Sequence, residues 1–163
     1  MHMKFKSYIE DWVEAQGWED PVEQEDAKSR LSFNLDVSDQ TFRVFIEGDD
    51  EKQWLELYMY APFNVKTDKS DEILKLFNHI HHSTYYGRLV LLNDGRIQYK
   101  QIISLIDTEP SPMVLDRMYR TGVQVFENWL DELAALALTK QTYADLVKEW
   151  DSQSDNNDVP EQL

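Results

Sequence analysis

Residues 112–138, PMVLDRMYRTGVQVFENWLDELAALAL, constrain the fold most. Leu115, Met118, Tyr119, Gly122, Phe126, Trp129, Leu130, Leu133 and Ala137 recur at three- and four-residue steps, the period of one helix face. Ser111 can cap this helix, and Pro112 suits the first helical position. Each large member of the stripe contributes about 1.5–3 kcal/mol if fully buried. A stripe this long can anchor a whole sheet, and the chain supplies strands to make one.

RLSFNLDV, residues 30–37, alternates cleanly, with Leu31, Phe33, Leu35 and Val37 on one face. TFRVFIEGDDEKQWLELYMY, residues 41–60, reads as two further strands around a Gly48–Glu51 turn. That turn sets Val44 opposite Leu55 and Phe42 opposite Leu57 on the core face, with Phe45–Trp54 and Arg43–Glu56 on the other. Pro62 is expected to end the third strand. TYYGRLVLLNDGRIQYKQ, residues 84–101, is a hairpin with two open registers. A three-residue loop at 93–95 aligns Leu89 and Leu91 with Ile97 and Tyr99; an Asp94-Gly95 loop aligns Val90 and Leu92 with them instead.

Helical spacing also marks Phe5 to Gln16, stopped by Gly17. SDEILKLFNHIHH, residues 70–82, is a second helix with Ser70 as cap and Ile73, Leu74, Phe77 and Ile80 as its stripe. WEDPVEQEDAKS, residues 18–29, reads as a connection, and a short helix is predicted over Gln141–Trp150. The order α-β-β-β-α-β-β-α predicts an α+β fold: a single antiparallel sheet of about five strands with helices packed on one face. Residues 1–150 are expected to form one domain, followed by an acidic, disordered tail at 151–163.

Composition excludes several functions. A net charge of −15 and a pI near 4.5 disfavour nucleic acid and anionic membranes as partners. With no cysteine there is no disulfide, thiolate metal site or cysteine nucleophile. Neither GxGxxG, GxxxxGK[ST] nor GxSxG occurs. Glu10 and Asp11 interrupt the opening residues before any long apolar run, and no window suits a bilayer-spanning helix. A cytoplasmic, non-catalytic protein without a cofactor is the expectation. His79 and His82 are spaced to share a metal on one helix face, yet no third ligand stands at a diagnostic distance. The plain alternative is that these histidines face the negative end of the helix dipole.

The third strand is apolar on both sides: Leu55, Leu57 and Met59 on one, Trp54, Tyr58 and Tyr60 on the other. With Phe45 this makes four aromatics on a face that a one-sided α+β sheet should leave wet. Phe45, Trp54, Tyr58 and Tyr60 are therefore the candidate residues for a partner or for a symmetric homodimer, unless the first helix or the tail covers them.

Leu76-Phe77-Asn78, Gly87-Arg88-Leu89 opening the hairpin, Asp94-Gly95-Arg96-Ile97 turning it, and a long Ser-Pro-started helix resemble the YbjN family over about Leu31–Ala137. The fold of that family is similar to class I type III secretion chaperones. The resemblance implies a chaperone-like fold, usually dimeric, that binds a protein or peptide rather than turning over substrate. Members are also described as sensory transduction regulators. The alternative is accordingly a regulatory domain that binds a small ligand or metal through the His79, His81 and His82 region.

Overall fold

The computed structural model describes residues 2–84 and 86–157. Helix α1 (Phe5–Gln16) forms where the spacing predicts, and Gly17 closes it at φ 75°. Its first turn has no side-chain cap from its own neighbours. Instead Asp50 Oδ1 accepts the Phe5 amide at 3.0 Å. Gln53 brackets Met3, accepting its amide at 2.7 Å and donating to its carbonyl at 3.1 Å. Phe5 lies over Gly48, where a Cβ would meet the Phe5 Cβ at 2.2 Å. Gly48 is thus a close-approach glycine inside a strand rather than a turn residue.

That placement corrects the expected register. The strands are β1 (Glu23–Glu25), β2 (Lys28–Val37), β3 (Gln40–Asp49), β4 (Trp54–Asn64), β5 (Arg88–Leu91) and β6 (Arg96–Ser104). The β3–β4 turn is Asp50–Gln53: Asp49 Oδ1 accepts the Glu51 and Lys52 amides at 3.0 and 2.9 Å, and Gln53 takes φ 57°. Val44 consequently faces Met59 and Ile46 faces Leu57, while Phe45 faces Tyr58 and Arg43 faces Tyr60. The pairs Val44–Leu55, Phe42–Leu57, Phe45–Trp54 and Arg43–Glu56 do not form. Each strand keeps its predicted faces, because the slip is an even number of residues.

The sheet is antiparallel, in the order β1-β2-β3-β4-β6-β5. Its sixth strand, β1, lies within the segment read as a connection. Glu23 and Glu25 pair with Arg30 and Lys28 across a turn at Asp26, so charge rather than burial selects this strand. Pro62 does not end β4 but sits where the β4–β6 register shifts between Tyr60 and Asn64, an irregularity that tolerates a missing donor. The hairpin takes the three-residue loop: Leu89 faces Tyr99 and Leu91 faces Ile97. Gly95 closes that loop at φ 88° under the Val65 carbonyl, which would lie 2.5 Å from any Cβ.

Helices α2 (Ser70–His81) and α3 (Met113–Leu138) complete the layer begun by α1. Ser70 does not cap α2; a 3-10 turn at Thr67–Lys69 leads straight into it. Its buried stripe is Ile73, Leu76, Phe77 and Ile80, and Leu74 is half exposed because α2 turns the Leu76 side inward. At the start of α3, Ser111 Oγ accepts the Met113 amide at 3.2 Å, and Pro112 already has helical dihedrals. Along α3, Leu115, Met118, Phe126, Leu130, Leu133 and Ala137 are buried, with Tyr119 and Trp129 half-buried. Helix α4 (Tyr143–Asn157) continues past Trp150, so residues 151–157 of the expected disordered tail are helical, and 158–163 lie outside the described residues. One core joins the helices to the covered face, with Leu31, Val44, Ile46, Leu55, Leu57, Met59 and Tyr99 fully buried.

Candidate protein-binding face

Alternation along β3, β4 and β6 sends Phe45, Tyr58, Tyr60, Gln98 and Lys100 to the side away from the helices. Helix α1 does not cover them, because Phe5, Ile9, Trp12 and Val13 are buried on the opposite side. Phe45 faces Tyr58 across the ladder, and its ring meets that of Tyr60 edge-on at 5.8 Å. The three rings are half-buried against one another. Cations lie over them: Arg43 is 5.3 Å from the Phe45 centroid, and Arg96 is 5.0 Å from that of Tyr60. Gln98 donates to the Tyr60 hydroxyl at 2.8 Å, fixing that ring from the next strand. Burial, reinforced by the Glu56 carboxylate, pushes the Tyr58 hydroxyl up to about 12, so it stays a neutral donor.

Trp54 shares the face but not the cluster. Four residues of strand, about 13 Å, separate it from Tyr58, and Lys52 lies 5.0 Å over its ring. Between them runs an ionic patch in which Arg30 Nε and Lys28 Nζ meet Glu47 at 2.9 and 3.1 Å. Burial opposes ionisation of Glu47, but the hydrogen bonds from Arg30 and Lys28 outweigh it and hold the carboxyl below its usual range. The arrangement leaves a shallow depression of about 430 Å³ lined by Phe45, Tyr58, Tyr60, Arg30, Glu56 and Arg96. Pattern reading missed Arg43, Arg96 and Lys52. Arg43 stands two residues before Phe45 on one face of β3, a contact that alternation could have found; the Arg96 and Lys52 contacts come from the hairpin and the β3–β4 turn, which periodicity does not encode.

The histidines of α2 diverge. His79 stacks on Trp150 with centroids 4.7 Å apart, meets Trp129 edge-on at 5.5 Å, and its Nδ1 pairs with the Tyr143 hydroxyl at 3.3 Å. This is the seat of α4, which Glu72 also holds by accepting the Tyr143 amide. His81 points the other way, its Nε2 accepting the Leu89 amide at 2.9 Å, and burial followed by the nearby Arg88 lowers its pKa. His82 is exposed at the helix end. Among the described residues no three His, Asp or Glu side chains are grouped to hold a metal ion. No described helix is long and apolar enough to cross a membrane.

Comparison with solved structures places the architecture. The chain superposes on the ExsC–ExsE complex with TM-score 0.58 at 12% identity, covering 85% of this chain and 98% of that one. The HopA1–SchA chaperone–effector complex gives TM-score 0.53 at 16% identity, with 77% and 91% covered. The structure of YbjN from E. coli gives TM-score 0.51 at 13% identity, with 76% and 89% covered. At these identities the likeness is one of fold: an antiparallel sheet layered with helices. No curated protein matches the sequence. The model of the YbjN family, described as "Putative bacterial sensory transduction regulator", matches residues 7–135, from α1 to within a turn of the end of α3, and the chain belongs to that family.

Proposed function

We propose that this chain is a non-catalytic, chaperone-like protein of the cytoplasm that binds another polypeptide and works as a homodimer. The observation that carries this reading is the Phe45–Tyr58–Tyr60 cluster, which no described helix covers, an aromatic patch under two arginines on a sheet whose other face is filled. Family membership and the fold shared with a chaperone–effector complex support it. A twofold contact reuses one patch on both subunits, and a stable one needs roughly 800 Å² per partner. Phe45, Tyr58 and Tyr60 are its centre and Trp54 its outlying member. The alternative of a ligand or metal at His79, His81 and His82 is less favoured, because His79 and His81 already serve α4 and β5.

Sedimentation at several concentrations tests the dimer, with Phe45→Ser/Tyr58→Ser as the comparison. The wild type should dimerise and the double variant should shift toward monomer with its melting temperature nearly kept. Capture from native cytosol with both proteins, read by mass spectrometry, should give a polypeptide retained by the wild type and lost by the variant. A wild type that stays monomeric and retains no polypeptide sinks the proposal.

A further inference from the structure

Helix α4 lies beyond residues 7–135, the segment that matches the family. The connection 139–142 ties it to α3, and it docks through residues 143–150. Tyr143, Leu146, Val147 and Trp150 form its inward stripe, of which Leu146 is buried and the other three are half-buried. From Asp151 to Asp155 every side chain is exposed.

The seat of this helix is aromatic. His79 of α2 stacks on Trp150, Trp129 of α3 meets the Trp150 ring edge-on at 6.0 Å, and the Tyr143 hydroxyl reaches His79 Nδ1. Polar ties stand on the α2 side. Lys69 Nζ donates to the Gln141 carbonyl at 2.6 Å, and Glu72, which also pairs with Lys75, accepts the Tyr143 amide. The α3 side differs. There Asp131, Glu132 and Ala135 meet Leu146, Glu149 and Trp150 across a cleft of about 250 Å³. Gln141 Nε2 holds the Glu149 carboxylate at 2.9 Å, and no basic residue lines the cleft. Lys140 and Lys148 are exposed outside it. Among the described residues no ion pair joins α4 to α3. Charge on this flank therefore opposes the closure that the rings favour.

We propose that α4 is a displaceable strap, and that the seat between α2 and α3 takes in its place an amphipathic helix of a partner protein. The occupant repeats the Tyr143–Leu146–Trp150 spacing on its apolar stripe. It carries lysine or arginine where α4 has Glu149, toward Asp131 and Glu132. Tethered by a short connection, α4 competes at an effective concentration on the order of millimolar, so the seat stays filled until such a partner arrives. The proposal rests on the protein-binding reading and adds a second docking place, on the helix side of the sheet.

The probe is a fluorescein-labelled peptide of residues 141–157 carrying Glu149→Lys, titrated by anisotropy. It is added to the full chain and to full-length Leu146→Ser/Trp150→Ser, designed to release its own α4. Saturable binding at least about tenfold tighter to the double variant is expected, because its strap no longer competes. Trp129→Ala added to that variant should weaken the probe about tenfold. The same peptide with Glu149 kept should bind about threefold more weakly, a gap that closes in about 1 M salt. Amide exchange on the wild type is a second measure: α4 should open at least about a hundredfold more often than the core of α3. If the double variant fails to fold, that exchange decides alone. Equal protection of the two helices overturns the strap, as does equal binding to both proteins. No saturable binding to the folded variant up to millimolar probe overturns the seat, and equal binding of the two peptides at low salt overturns the basic partner. A wild-type dimer that the double variant converts to monomer would give the seat to α4 of a second copy and also overturn the proposal. Partner capture that depends on Phe45 and Tyr58 while the probe fails to bind would leave the protein-binding reading standing and remove this one alone.

Discussion

The two faces of the sheet are written by the same strands and solve opposite problems. On the covered face Ile46, Leu55, Leu57 and Met59 are sealed beneath the helices, and burial alone holds them; Tyr99 beside them is sealed too, its hydroxyl donating to Gln101 Oε1 at 3.1 Å. The other face carries rings as well, but each has a polar companion: Arg43 on Phe45, Arg96 and Gln98 on Tyr60, Lys52 on Trp54. The buried rings Tyr99 and Trp12 have partners only for their polar atoms, at Gln101 and Asp116, and among the described residues no cation over the ring face. Rings that keep cations and hydrogen-bond donors around them stay wet until something else arrives, at which point their apolar area is still to be gained.

The sharpest break of that contrast is Leu57→Ala. A cavity at a fully buried central position should cost about 2–5 kcal/mol in denaturant melts, whereas Tyr58→Ser next to it should cost under about 1 kcal/mol. Comparable losses would mean that the open face is part of the fold's support. Next in size is Asp50→Ala, which removes the carboxylate that receives the Phe5 amide and should cost about 1–2 kcal/mol. Amide exchange should localise that loss to α1.

Acid should then single out the ionic patch. The Glu47 carboxyl sits below its ordinary value of 4.5, so its contribution is whole above that pH and disappears as pH falls through the lowered folded value. The stability gap between wild type and Glu47→Gln should therefore hold at neutral pH and narrow progressively as pH falls below 4.5. A gap independent of pH would refute the charge-based account. The smallest effect belongs to His81. Its pKa is lowered in the fold, so the stability it confers is complete above the unfolded value of about 6.5 and declines as pH drops below it. His81→Gln should flatten that decline in melting curves taken from pH 7.5 to 5.5.

Much of this was legible in the pattern of residues. The α1 range follows from its spacing and Gly17, and the faces of β2, β3 and β4 follow from alternation. The β3–β4 register was not legible, because Gly48 looks like a turn glycine until Phe5 is seen lying on it. Strand β1 has no apolar residue for a hydrophobic period to reveal. The last turns of α4 are equally polar, so nothing in them distinguishes helix from coil. For the candidate face, alternation alone grouped Phe45, Tyr58 and Tyr60. It could not tell that Trp54 stands a patch of charges away, since distance along a strand is invisible to a period of two.

The Asp50–Phe5 hydrogen bond also sets an order in time. Residue 5 is synthesised first, but its acceptor follows 45 residues later. A twelve-residue helix is marginal alone, and α1 lacks a side-chain cap of its own at the N-terminus. The first turn of α1 gains its acceptors only once the β3–β4 turn has closed and presents Asp50 and Gln53 together. The same dependence runs backwards under stress: opening that one turn releases the start of α1 while the β2–β3 ladder can stay paired.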